Sequence, residues 1–432
     1  MFLKIPELSL VILVGVSSAG KSTFAHKHFK ATEIVSSDHY RNVVCDDENS
    51  LEASQDAFEL VHTIVEKRLK RGLLTVVDAT SVLPYARKTL LELAKKYHAK
   101  PVVVVLDTPE ELIRQRHEAR NDRNFDYEAV IVPQRYNLRR AIHQLPQEGF
   151  KHIFVLDTIE NIENATFIRE KARSNKKTET GNFDIIGDIH GCFTELKILL
   201  GKLNYQLSAR ESKTETGKLL YYDIQCPENH RLIFVGDLTD RGDNSPEVLK
   251  VVMSAVRSGK AFCVQGNHDF KLLQKLSGKN VKVSHGLEIT LAQLANEKAE
   301  FLADVEQFLE NLAAHYVFDE GKLVVAHAGL REEMHNRSSG AIRNFCLYGE
   351  TNGETDEYGL PVRINWAADY KGKAMVVYGH TPMLESRWQN NTINIDTGCV
   401  FGGMLTALKY PEKKLMAVKA KKLYYESPRP LL

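Results

Sequence analysis

A chain of 432 residues is longer than one hydrophobic core usually organises, so two domains are expected. With 43% hydrophobic and 26% charged residues it has the composition of a globular protein, and a net charge of +1 excludes a global electrostatic signature of nucleic-acid binding. The longest apolar run, within Leu8–Val16, is too short to span a bilayer, no cationic leader precedes it, and the six cysteines form no C-x-x-C pair. The expectation is a cytoplasmic protein with reduced thiols and no membrane contact.

In chain order, apolar runs at Leu8–Val14, Glu33–Val35, Leu73–Asp78, Val102–Asp107 and His152–Leu156 predict short buried strands. Between them Leu51–Arg71 and Pro109–Ala119 read as helices, the second with Thr108, Pro109 and Glu111 as a capping box carrying proline at the first helical position. Such alternation predicts an α/β fold with a parallel sheet and right-handed crossovers. The polar stretch Lys171–Asn182 suits an exposed linker, dividing the chain into residues 1–171, a linker at 172–182 and residues 183–432. Further on, Ser208–Lys218 reads as a hairpin tip, Leu287–Ala314 as a helical insert and Gly349–Tyr358 as a surface loop.

Gly15, Val16, Ser17, Ser18, Ala19, Gly20, Lys21 and Ser22 fit G-x-x-x-x-G-K-[ST] between a predicted strand and a predicted helix. In such a P-loop the glycines let backbone N–H groups wrap phosphates, Lys21 reaches the β/γ-phosphates of ATP and Ser22 ligates Mg²⁺, with Thr23 completing the nucleotide-binding set. Asp38, after the next strand, is positioned to accept a proton from an incoming hydroxyl, as a kinase base does; the alternative is that Ser36 or Asp38 only caps the following helix. Asp78 competes for the role of base, or helps hold Mg²⁺ or structure the site. The local positive patch is Arg114, Arg116, Arg120, Arg123, Arg135, Arg139 and Arg140. Arg116, Arg120 and Arg123 share a helical face suited to a kinase lid over a transferring phosphoryl group.

Five polar blocks each follow a predicted strand: Gly187–Gly191 (GDIHG), Gly236–Gly242 (GDLTDRG), Gly266–Asp269 (GNHD), His327–Gly329 (HAG) and Gly379–Thr381 (GHT). Strand ends converge on one rim, so these blocks can build one site. The spacing suits a binuclear centre in which Asp188 and His190 reach one cation, Asp237 bridges, and Asn267, His327 and His380 take the other. Oxygen and imidazole donors without thiols suit Mn²⁺, Fe, Ni²⁺ or Zn²⁺, with Mn²⁺ foremost, better than Ca²⁺. His268 can protonate a leaving oxygen with Asp240 holding its imidazole, and Arg241 can grip phosphate oxygens. His285, His315 and His335 match no block and are read as structural.

The five blocks resemble the binuclear metallophosphoesterases, in their phosphoprotein-phosphatase-like branch, over about Phe183–Tyr410. That resemblance implies an α/β sandwich of two mixed sheets flanked by helices. The stretch Asp396–Cys399 also looks like a block of that branch, implying that Asp396 lies near substrate. Joined to the P-loop and the Ser36-Ser37-Asp38 stretch, the whole resembles bacterial polynucleotide kinase–phosphatase. This implies ATP- and Mg²⁺-dependent phosphorylation of 5′-hydroxyl RNA (or DNA) ends and removal of 3′-phosphate, 2′-phosphate or 2′,3′-cyclic phosphate. The chain shows no K-x-D-G ligase motif, so sealing is expected from a separate ligase protein. Self-association into a homo-oligomer is a further expectation. The competing readings are a nucleotide- or protein-directed metallophosphatase carrying a small-molecule kinase, which the near-neutral charge favours, and an ATP-gated switch.

Overall fold

The computed structural model describes residues 1–119, 125–214 and 217–431. The chain divides into two units, Met1–Ala172 and Arg173–Leu432. In the first unit the order is β1 (Phe2–Pro6), β2 (Ser9–Val14), α1 (Lys21–His28), β3 (Ile34–Ser36), α2 (Ser37–Cys45), α3 (Ser54–Lys70), β4 (Thr75–Asp78), α4 (Pro84–Lys96), β5 (Lys100–Leu106), α5 (Glu110–Glu118), α6 (Tyr127–Gln144), β6 (His152–Leu156), α7 (Ile159–Glu163) and β7 (Thr166–Glu170). Five of these strands form an all-parallel sheet in the order β3-β4-β2-β5-β6. Central β2, SLVILV, is buried at every position, the pattern of a strand covered on both faces. The chain winds to one side of β2 through β3 and β4 and to the other through β5. That reversal opens a crevice at the carboxyl end of β2, where the loop Gly15–Gly20 lies.

Two local expectations are corrected here. No capping box opens α5: Pro109 is its cap residue rather than its first helical one, and no side chain caps it. The Thr108 hydroxyl instead donates to the Ala19 carbonyl at 2.9 Å, a tertiary bond that ties this turn to the P-loop. β1 and β7, not expected from sequence, pair in parallel as a small separate sheet. The largely exposed TFIRE of β7 carries no strand periodicity to read.

The second unit runs β8 (Asn175–Lys176), β9 (Asn182–Ile186), α8 (Phe193–Lys202), β10 (Gln206–Thr214), β11 (Gly217–Gln225), β12 (His230–Phe234), α9 (Ser245–Arg257), β13 (Ala261–Cys263), α10 (Asn267–Leu276), α11 (Leu287–Leu294), α12 (Ala299–Asn311) and β14 (His315–Phe318). It continues with β15 (Leu323–Ala326), α13 (Gly340–Tyr348), β16 (Thr351–Thr355), β17 (Pro361–Arg363), β18 (Met375–Tyr378), β19 (Trp388–Gln389), β20 (Thr392–Asn394), β21 (Met404–Tyr410) and β22 (Lys414–Lys419). Two mixed sheets, β13-β12-β9-β21-β22 and β19-β20-β18-β15-β14-β8, build the sandwich. Alternation along the strands separates the layers. Ile185, Ile233, Val325, Val377 and Leu408 pack into one apolar cluster shared by both sheets, while Ile186, Leu232 and Phe234 join a second with α8, α9 and α12.

The stretch expected to be a linker is partly structured: Asn175–Lys176 pairs with Val317–Phe318 at the edge of the second sheet, and Ser174 O accepts from Val317 N at 2.9 Å. Backbone pairing recruits it without any apolar side chain, so composition could not reveal it. Within the expected loop Gly349–Tyr358, Thr351–Thr355 pairs with Pro361–Arg363 as an exposed antiparallel ribbon. The hairpin expected around Ser208–Lys218 is β10–β11; residues 215–216 lie outside the described residues. No helix among the described residues is long and apolar enough to cross a membrane.

Candidate active sites

In the first unit, Gly20 caps α1 at φ 93°, a left-handed conformation that glycine adopts without strain. A methyl group there would also meet Arg116 Nη1 at 2.8 Å. Arg116 closes over the loop and donates to Ala19 O at 3.0 Å. Ser17, Ser18, Gly20, Lys21, Ser22 and Thr23 line a cavity of about 520 Å³ together with Asp38, Arg41, Asp78 and Arg116. Gly15 lies behind it, packed against Leu106 O. Lys21 is buried and its Nζ donates to Val16 O at 2.9 Å. Asp78, also buried, accepts from Ser22 and faces Lys21 and Asp38; burial pushes its carboxyl up, with Lys21 opposing.

Asp38 sits in the first turn of α2, ion-paired to Arg41, while Ser36 caps the helix through His39 N. The two alternatives are thereby divided between two residues: Ser36 caps, and Asp38 faces the cavity. Arg114 pairs with Glu110 and Glu128, and Arg135 with Glu110. Arg120 and Arg123 lie outside the described residues.

In the second unit the strand-end blocks meet. His190 Nδ1 donates to Thr239 O at 2.8 Å and His327 Nδ1 to Val235 O at 3.1 Å, which turns both Nε2 lone pairs toward Asp237. Asp237 Oδ2 lies 3.5 Å from His190 Nε2 and 3.4 Å from His327 Nε2. His327 Nε2 lies 2.8 Å from Asn267 Oδ1 and 3.0 Å from His380 Nδ1. Donor atoms of His190, Asp237 and His268 form one group within 4.8 Å, and those of Asp237, His327 and His380 another, with Asp237 common to both. Asp188 Oδ2 accepts from His380 N at 3.0 Å, which ties it to the same group of donors. Arg241 donates to His190 Nε2 and to His268 Nε2, both at 2.9 Å, so its fork enters the site between two imidazoles.

His190, Asp237, Asp240, Arg241 and His380 all have φ between 45° and 75°. Such strain, of order 1–3 kcal/mol per residue, persists only where surrounding structure enforces it and concentrates at functional turns. Gly236 shows how tightly these turns pack: a methyl group there would lie 2.5 Å from Gly266 N.

The donor set fits divalent cations. Lone pairs of Asn267 Oδ1, Asp237 Oδ2 and two imidazoles converge within hydrogen-bond range, an arrangement that repels itself unless positive charge lies among them. Asp188 Oδ1 and His380 Nε2 are buried with no hydrogen-bond partner. Burial lifts the Asp188 carboxyl well above the usual range, reinforced by Asp396 and Asp237. Burial also opposes the charge of Asp237, but His327 and His268 outweigh it and hold the carboxylate well below its ordinary value. His327 is raised because Asp237 overcomes its burial, the same pull toward positive charge that a cation would satisfy.

Burial also sets a pH dependence. It lowers His315 to about 3 and His335 to about 4, so both are neutral in the folded chain at neutral pH. A depressed base leaves the unfolded state binding more protons below about 6.5, so this contribution to stability is lost as pH falls from about 6.5 toward 3. Asp269, raised to about 7, and Asp396, raised to about 6, act in the opposite direction over about 4–7. His315→Asn is therefore expected to make the fall in thermal midpoint between pH 7 and 5 shallower, measured in chelator by calorimetry. An unchanged slope would show that His315 does not carry it.

Several contributors were missed from sequence. Gln134 on α6 accepts from Ser17 N at 2.7 Å, and nothing near position 134 signals a P-loop contact. Asp269 accepts from Leu238 N and Gly266 N, joining two of the turns. Thr290, in the helical insert, donates to Asp240 Oδ1 at 2.8 Å, and Asp240 Oδ2 lies 2.6 Å from His268 Nδ1. For Asp269 the signal was its place within GNHD; for Thr290 there was none.

A two-sheet sandwich with carboxylate, imidazole and amide donors gathered at its strand ends defines a metallophosphoesterase. Residues 181–403 match the calcineurin-like phosphoesterase family, and the chain belongs to that family, whose members use divalent metals. Residues 10–145 match the AAA domain family, so a P-loop kinase-like domain is fused in front. The chain is 46% identical over 241 residues to the asymmetrical bis(5′-nucleosyl)-tetraphosphatase PrpE of Anoxybacillus flavithermus, covering 55% of this chain and 93% of that protein. It is 44% identical over 249 residues to the Bacillus subtilis protein of that name, covering 57% and 97%. Among solved structures, a serine/threonine phosphatase from Saccharomyces cerevisiae aligns with a TM-score of 0.39 and 14% identity over 59% of this chain and 84% of that one.

Proposed function

We propose that the second unit is a nucleotide-directed phosphohydrolase acting on bis(5′-nucleosyl) polyphosphates, and that the first unit binds ATP with Mg²⁺. The observation that carries this reading is a cavity of about 430 Å³ lined by His380 and bounded by Trp366, Tyr378, Met383, Arg363 and Arg429. Aromatic and apolar walls suit a nucleoside, and guanidiniums suit the phosphates between nucleosides. The PrpE relatives support the same substrate class.

Asp188, His190, Asp237, Asn267, His327 and His380 would hold two divalent cations, Mn²⁺ among them, which clamp a phosphate and acidify a bound water. The remaining steps belong to the chain. Asp240, held by Thr290, accepts from His268 Nδ1–H and so keeps Nε2 directed into the site. As water oxygen bonds to phosphorus, giving up a proton to solvent, and the phosphorus–oxygen bond to the leaving phosphate breaks, His268, protonated at Nε2 once Arg241 turns to substrate, passes that proton to the leaving oxygen. Arg241, whose two N–H groups donate to His190 Nε2 and His268 Nε2, would turn them to non-bridging oxygens of a bound substrate.

The experiment compares kcat/KM with Mn²⁺ on bis(5′-adenosyl) tetraphosphate, 3′-phosphate and 2′,3′-cyclic-phosphate RNA, and a phosphopeptide. The tetraphosphate is expected to lead by at least about tenfold. Faster release from RNA ends would favour instead an end-healing enzyme related to polynucleotide kinase–phosphatase, a reading supported by Asp38 and Lys21 sharing the P-loop cavity.

A further inference from the structure

The segment after β22 is built into the wall of the phosphoesterase cavity. Its course is fixed at several points: Glu195, buried on α8, accepts from Lys421 N at 2.7 Å and from the Tyr424 hydroxyl at 2.9 Å. Val400 O accepts from both Tyr424 N and Tyr425 N at 3.1 Å. Leu431 lies over Gly398, where an added methyl group would come within 3.1 Å of it. Between these anchors Arg429 reaches the cavity rim and bonds Asp356 at 3.4 Å. Asp356 is itself held in a tight turn by Tyr358 N and Leu360 N.

Arg363 lines the same cavity and donates to the Thr381 hydroxyl at 2.9 Å, one residue from His380. Two guanidiniums therefore face one half-enclosed space. The carboxylates on its wall are already engaged: Asp356 with Arg429, and Glu350 with Arg331. Burial, reinforced by Arg429, pushes Arg363 down to about 10. Asp356 balances one of these two charges, and an anion entering the cavity would meet the other. His380 lines the cavity, and Asp237, Asp396 and Asp188 act on Arg363, so the cavity adjoins the metal site and suits an anion that extends from one into the other.

We infer that Arg429, delivered by the C-terminal segment, is a specificity-determining residue that joins Arg363 in binding the phosphates beyond the one under attack. The substrate class is then a phosphate chain carrying at least one further phosphate, in preference to a simple monoester. This rests on the nucleotide-directed reading above, and adds to it which element selects for chain length and that the element is remote in sequence from every metal-site block.

The test measures kcat/KM for bis(5′-adenosyl) tetraphosphate and for p-nitrophenyl phosphate in the full-length wild type, Arg429→Ala and Arg429→Lys, with thermal midpoints as a control for folding. Losing a charge-assisted contact is expected to lower the tetraphosphate-to-monoester ratio in Arg429→Ala by about ten- to a hundredfold, chiefly through KM. Arg429→Lys should recover part of it. A ratio within twofold of wild type, or equal loss on both substrates, overturns the inference and leaves the segment a structural strap. If the wild type itself favours the monoester, the nucleotide-directed reading fails first, and this one with it.

Discussion

Asp237→Ala is expected to abolish phosphoester hydrolysis, with a loss of at least about 10³-fold, equivalent to ~4 kcal/mol of transition-state stabilisation. Asp237 is the one side chain common to both donor groups, so its removal takes a ligand from each. It also accepts from His268 N at 2.9 Å, so alanine leaves that buried amide unpaired beside the imidazole assigned to the leaving group. Asp237→Asn keeps the acceptor and the volume but removes the charge, which separates loss of cation binding from misfolding. Both variants should lose hydrolysis of p-nitrophenyl phosphate in Mn²⁺, and Asn should keep the wild-type thermal midpoint in chelator more closely than Ala. Hydrolysis within tenfold of wild type in Asp237→Asn would remove Asp237 from the centre of the mechanism.

Lys21→Ala is expected to weaken the proposed binding of ATP and to reduce any ATP-dependent phosphoryl transfer by about 10²–10³-fold, the scale of removing one donor aimed at developing charge. Its ammonium bonds Val16 O and faces the buried Asp78 across the cavity. Without it, the burial that already raises Asp78 goes less opposed. Ester hydrolysis should persist, because the two units have separate apolar cores. Labelled ATP offered with a 5′-hydroxyl oligonucleotide and, separately, with nucleosides measures the loss and identifies the acceptor. Transfer undiminished in Lys21→Ala would exclude the P-loop as its seat. Loss of both activities would count against two autonomous sites.

The contrast between these residues and Arg429 shows what could be read from the chain alone. Lys21 and Asp237 were legible because each lies just past a strand whose apolar run is unmistakable, SLVILV before one and RLIFV before the other, and because their neighbours are glycines demanded by tight turns. Strand, turn and ligand are adjacent in sequence, so local sterics and burial decide them together. The parallel sheet was legible for the same reason, and the sandwich through the family resemblance that the strand-end blocks carry. Asn175–Lys176 and Thr166–Glu170 were not, since backbone pairing and not side-chain burial makes them strands.

Sequence by itself therefore determined the two chemistries: a phosphate-wrapping loop, and a set of oxygen and imidazole donors at strand ends. Only the tertiary structure decided which groups stand around them. Gln134 reaches Ser17 across 117 residues, Thr290 reaches Asp240 across 50, and Glu195 holds Lys421 across 226. Such contacts carry no local periodicity, because the packing of layers sets their partners and adjacency along the chain does not.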